Sequence, residues 1–69
     1  MDNNKFLIEM GNKIRAARKA KNITLQEMSV ATNIARDNLS IVERGLRNCH
    51  ILSLKSMADV LGMDVKDFL

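Results

Sequence analysis

The order of apolar and polar residues divides this chain into short helical segments. Phe6, Met10, Ile14 and Ala17 recur at spacings of three and four, which predicts one apolar stripe along a first helix. Asn3 or Asn4 can cap its start, and the helix runs to about residue 21. Lys13, Arg15, Lys19 and Lys21 fall off the stripe and should face solvent. Asn22 suits the left-handed residue that closes a helix, with Ile23 tucking back beneath the core. Thr24 and Glu27 then form a T-x-x-E capping box for a second helix, Leu25–Thr32, with Met28 inward. Ser29 is small enough to let the next helix approach. Asn33 tolerates the left-handed backbone of a sharp turn, and Ile34 plugs the elbow from inside.

A third helix over residues 35–44 turns Leu39 and Val42 inward and ends at Gly45. Residues 46–51 read as a loop. A fourth helix over 52–61 buries Leu54, Met57, Ala58 and Leu61, and Gly62 closes it. Asp64 caps a final turn over 65–69. No strand, linker, repeat or low-complexity segment interrupts this pattern. The expectation is an all-α protein, a compact five-helix domain spanning residues 1–69.

Composition agrees with a helical core. The chain has two Phe, no Trp, no Tyr and no Pro, so its core is aliphatic and nothing breaks a helix. At 69 residues it lies near the lower end of what folds without staples. Its one cysteine, Cys49, has no internal partner, so nothing points to an oxidising compartment. No apolar run approaches the roughly 18 residues that span a bilayer, and the start lacks a signal-peptide layout. The expected location is cytoplasmic, with no membrane partner.

Charge sharpens the picture more than its total of +3 suggests. Residues 10–50 hold eight Lys/Arg against three Asp/Glu, whereas residues 1–9 and 51–69 each come to −1. The middle of the chain is therefore suited to a polyanion. The same stretch contains the two short helices at 24–45, joined by about three residues. A joint that tight sets two helices at a steep angle, so one can lie across a duplex while the other enters the major groove. Side chains at the start of the second of these protrude furthest into the groove, and there Arg36, Asp37, Asn38 and Ile41 point outward. Arg36 can pair with guanine O6 and N7, or remain a solvated cation. Asp37 can favour the helix dipole or accept from cytosine N4. Asn38 suits a base or a phosphate. Ile41 suits a thymine methyl or shields the helix pair. Arg44 and Arg47 flank Gly45, where phosphates would pass.

These residues resemble the lambda-repressor-like helix-turn-helix domains of the Cro/CI (Xre) type. The resemblance covers residues 14–69. It rests on I14-R15-x-x-R18-K19, T24-x-x-E27-M28-S29, S40-I41-V42-E43-R44-G45-x-R47-N48 and L54-x-x-M57-A58-x-x-L61-G62-M63. The E-R-G-x-R-N run is also similar to the small controller proteins of restriction–modification systems. The resemblance implies that Arg36, Asp37 and Ile41 face base edges, with Asn38, Ser40, Arg44 and Arg47 nearer the phosphates. It also implies that Arg18 and Glu43 form a largely buried structural salt bridge, which removes Arg18 from the DNA contacts. Leu25 departs from the family pattern, which places a phosphate-touching Gln there. Gln26, one position round the helix, is the remaining candidate for that contact.

Catalysis has little to stand on. Cys49 and His50 are neighbours, but no further His or Cys completes a metal site, and adjacent loop residues rarely face each other as nucleophile and base. The expectation is no enzyme, no cofactor and no small-molecule ligand. It is a transcriptional regulator that binds double-stranded DNA as a homodimer, two recognition helices entering successive major grooves about 34 Å apart on a near-palindromic site. Leu52, Val65, Phe68 and Leu69 form the candidate dimer surface, although Phe68 can equally cap the monomer's core. Two other readings stand beside this one: an antitoxin-type DNA-binding protein with a protein partner, and a helical protein-interaction module.

Overall fold

The computed structural model describes residues 3–69 as four α-helices followed by a short 3-10 turn. The helices are α1 (Asn3–Ala20), α2 (Leu25–Thr32), α3 (Arg36–Glu43) and α4 (Ile51–Leu61), and the turn is Val65–Phe68. The fifth element is thus a single turn rather than a full helix. A capping box between Asp64 and Asp67 starts it, and Leu69 N donates to Lys66 O at 3.2 Å at its end.

Three of the four helices end in the same way. Asn22 (φ 57°), Gly45 (φ 73°) and Gly62 (φ 67°) adopt the left-handed conformation. The following residue then reaches back to a carbonyl five positions earlier: Ile23 N to Arg18 O at 3.1 Å, Leu46 N to Ile41 O at 3.2 Å, and Met63 N to Ala58 O at 2.9 Å. These bonds satisfy carbonyls that the helix leaves open and send the chain back over the core.

The core consists of Met10 and Ile14 from α1, Met28 from α2, Leu39 and Val42 from α3, four residues of α4, and Phe68. Phe68 is 1% exposed, so it is committed to the monomer. Phe6, in contrast, is 46% exposed and does not belong to the buried face of α1. That face runs through Leu7, Met10, Gly11, Ile14 and Arg18, rotated from the stripe that apolar spacing predicts. Counting only apolar residues omitted Gly11 and Arg18, both buried, and drew the stripe toward Phe6. Gly11 is where α1 meets α3: a Cβ there would lie 2.5 Å from the carbonyl oxygens of both Val42 and Glu43.

Two helix starts also differ from the sequence reading. Asn4 lies inside α1 rather than capping it, because the helix already includes Asn3; its cap falls outside the described residues. α4 begins one residue early, at Ile51, because His50 serves as its N-cap, Nδ1 accepting from Leu52 N at 3.2 Å.

Candidate nucleic-acid interface

α2 and α3 are joined by three residues, Asn33, Ile34 and Ala35. Asn33 (φ 59°, ψ 30°) makes the left-handed corner, and Ser29 Oγ donates to Ile34 O at 2.6 Å across it. Thr32 adds a second tie, its hydroxyl donating to Met28 O at 2.7 Å. At the other end of α2 the Thr24–Glu27 capping box is complete, with bonds of 2.9 and 3.0 Å. Hydrogen bonding from Thr24, its backbone N–H first and its side chain second, holds the Glu27 carboxyl below its ordinary value. The turn is therefore braced from the α2 side by the Ser29 bond across it, in addition to the packing of α2 against α3.

α3 divides by face. Leu39, Val42 and Glu43 are buried, while Arg36, Asp37, Asn38 and Arg44 are exposed and Ser40 and Ile41 are half-buried at the margin. Ala35 offers no side-chain cap, so the first backbone donors of α3 are open at the end that carries Arg36 and Asp37.

What holds this face outward is an ion pair behind it. Arg18 Nε donates to Glu43 Oε2 at 2.7 Å and Nη2 to Oε1 at 3.0 Å, a two-pronged contact between residues only 8% and 6% exposed. Arg18 Nη1 also donates to Ile23 O at 2.7 Å, so one guanidinium ties α1, α3 and the turn before α2. The hydrogen bond to Glu43 outweighs the burial and holds the guanidinium above its already high ordinary value.

Clefts border α3 on both flanks. On one side Asn38 and Arg47 stand together, Arg47 Nη1 donating to Asn38 Oδ1 at 3.3 Å, beside a hollow lined further by Asn48, Cys49 and His50. On the other side Asn12, Arg15, Leu25, Ser40 and Arg44 surround the Arg18–Glu43 pair. Gln26 is exposed on α2, and Leu25 packs partly against the core. Asn12 and Arg15 lie at this surface without having been read as part of it. Their signal was weak, because polar residues off an apolar stripe read only as solvated.

The proposed dimer residues differ in exposure. Leu52 and Leu69 are 66% and 58% exposed, Val65 is half-buried, and Phe68 belongs to the core. The Cys49–His50 pair shows no activation. Burial pushes the Cys49 thiol above its ordinary value, the opposite of a nucleophile's requirement, and the His50 Nδ1 is engaged as a cap. Among the described residues, no group of three or more His, Cys, Asp and Glu is placed to hold a metal ion. No helix among them is long and apolar enough to cross a membrane.

A short capped helix, a three-residue left-handed turn and a second helix with one polar face define a helix-turn-helix DNA-binding protein. The chain belongs to the helix-turn-helix family HTH_3, whose model matches residues 14–68. It is a sequence-specific DNA-binding regulator of transcription. The clp gene regulator ClgR from Corynebacterium glutamicum is 30% identical, superimposes with a TM-score of 0.87, and is matched over 91% of this chain and 67% of its own. The restriction-modification controller protein C.AhdI from Aeromonas hydrophila shares the fold over 100% of both chains, with a TM-score of 0.93 at 23% identity. An HTH_3 family transcriptional regulator from Vibrio cholerae has a TM-score of 0.88 at 22% identity, over 97% of this chain and 38% of its own. No curated protein sequence matches the chain.

Proposed function

We propose that this regulator acts from the cytoplasm as a homodimer on a near-palindromic operator, residues 1–69 forming one domain whose reading unit is 24–45. The observation that carries the reading is the division of α3. Leu39, Val42 and Glu43 serve the interior, which leaves Arg36, Asp37 and Ile41 to meet base edges. Asn38, Ser40, Arg44 and Arg47 lie toward the margins and take phosphates, with Gln26 contributing from α2. The surplus of five positive charges over residues 10–50 supplies the attraction to the duplex.

Dimerisation follows from economy of contact. One eight-residue helix reaches only a few bases, so a second copy on the next turn of the groove, about 34 Å away, is needed for a unique site. Leu52 and Leu69, large apolar side chains exposed in the monomer, are the proposed contact, with Val65 at its edge. Phe68 supports that surface from beneath rather than joining it. The ClgR relative being a gene regulator supports the same role here.

The test is selection of bound sites from random duplex DNA. The expected outcome is an enriched motif of two inverted half-sites spaced by one helical turn. Failure to enrich any motif would overturn the reading, and enrichment of single half-sites would overturn the dimer.

A further inference from the structure

The cleft between α1, the start of α2 and the second half of α3 has the chemistry of an anion seat. Its floor is neutral, because Glu43 compensates Arg18 with two hydrogen bonds. Its walls carry two uncompensated cations. Arg15 makes no hydrogen bond or ion pair with any described residue. Arg44 bonds only to Ser40 O of its own helix, at 3.4 Å, a contact long enough to give up readily. The Asn12 amide and the Ser40 hydroxyl add neutral donors around the same space, and no carboxylate other than the paired Glu43 lines it.

Position decides which anion. This cleft lies along the flank of α3 that carries Ser40 and Arg44, whereas Asn38 and Arg47 lie along the opposite flank. A helix in a major groove about 12 Å wide has a phosphate strand on either side. Two flanks with cations therefore face two different strands. Leu25 also lines this cleft, at a helix start where it has no polar group to offer. Within this cleft, therefore, α2 contributes no side-chain donor, while α1 presents an unpaired arginine.

We propose that Arg15, together with Arg44, seats a backbone phosphate on the strand opposite the one met by Arg47. Arg15 thereby supplies from α1 the donor that Leu25 does not offer to this cleft. The inference rests on the reading that α3 enters the major groove. A guanidinium suits the role because its planar fork can donate twice to one phosphate.

The experiment measures affinity against salt for a selected duplex and for an unrelated one, using the wild type, Arg15→Ala and Lys13→Ala. Lys13 is a cation of the same helix outside the cleft. Arg15→Ala should weaken both duplexes by the same factor, about five- to tenfold at 0.1 M salt, and lower the salt slope by about one unit. Lys13→Ala should leave the slope unchanged, and Leu25→Gln in the Arg15→Ala background should recover part of the lost affinity. A slope unchanged by Arg15→Ala, with the wild type still binding, would overturn the phosphate seat alone. Absence of binding by the wild type would overturn the DNA reading beneath it.

Discussion

Arg47 donates its Nη1 to the side-chain oxygen of Asn38 at 3.3 Å, which links the loop after α3 to the first turn of that helix. With its oxygen engaged, Asn38 presents its NH2 as the free end. That end can donate to a phosphate or to a base acceptor, but paired recognition of adenine needs the oxygen as well. The two residues should therefore act as a unit. Asn38→Ala and Arg47→Ala should each weaken DNA binding, and the double variant should lose less than their sum by about 0.5 kcal/mol or more. Strict additivity in a titration cycle would show that the link does not persist on DNA. Arg47→Ala should also weaken every sequence alike and lower the salt slope by about one unit.

Arg36 stands exposed at the uncapped start of α3. Replacing it with Ala should cost about 1–3 kcal/mol on the selected operator and relax preference at one base position. Competition binding against single-base operator variants reads this directly. An equal loss on all sequences would reassign Arg36 to the phosphates.

The buried Arg18–Glu43 pair is expected to act on stability more than on recognition. Glu43→Ala strands a buried guanidinium, at a cost of about 3–5 kcal/mol in urea denaturation. The remaining bond to Ile23 O does not neutralise that charge. Replacing both partners, Arg18→Met with Glu43→Leu, should recover most of the loss, since an apolar pair carries no desolvation penalty. Affinity per folded molecule should change little in the double variant, whose cleft floor stays uncharged. A larger effect on affinity than on stability would place Glu43 at the interface.

Backbone crowding separates the glycines. Gly62→Ala pays only for the left-handed backbone, about 1–2 kcal/mol, since nothing but the flexible end of Lys21 lies near, at 3.8 Å. Gly45→Ala pays that and drives a Cβ to 2.6 Å from Ile8 Cα, so it should be the more damaging by at least about 1 kcal/mol. Gly11→Ala gains about 1 kcal/mol in helix propensity but meets two carbonyl oxygens that cannot rotate away, and should be destabilising overall. Thermal denaturation ranks all three. Equal shifts for Gly45→Ala and Gly62→Ala would mean that α1 yields easily at Ile8.

Cys49 should react slowly with iodoacetamide in the folded protein. Burial raises its thiol above the ordinary 9.0, so little thiolate is present at neutral pH, and unfolding in urea should accelerate alkylation. Because the folded value is the higher one, the thiol's contribution to stability is complete at neutral pH. It should fade as pH rises past 9. Rapid alkylation of the folded protein would contradict this burial.

The legible parts of the chain were those written in short range. α2 is bounded by the Thr24–Glu27 capping box at its start and by left-handed Asn33 at its end, so local residues alone placed it at Leu25–Thr32. The left-handed corners at Asn22, Asn33, Gly45 and Gly62 were legible for the same reason. Phe6 was misread because the buried face of α1 depends on a distant backbone, the Val42 and Glu43 carbonyls that admit only Gly11. The fate of Phe68 was open because it depends on how the last turn folds back against α1 and α4. The Arg15 cleft is assembled from three helices, and no local pattern marks it.

The division of α3 has an evolutionary consequence. Its attachment to the body of the protein runs through the buried Leu39, Val42 and Glu43, to which the proposed reading gives no base to recognise. Positions 36, 37 and 41 carry little of the scaffold, so they can be exchanged at small cost in stability. New operator preferences are then within a few substitutions of this sequence. Relatives that share the body can drift apart in the genes they control while remaining the same molecule underneath.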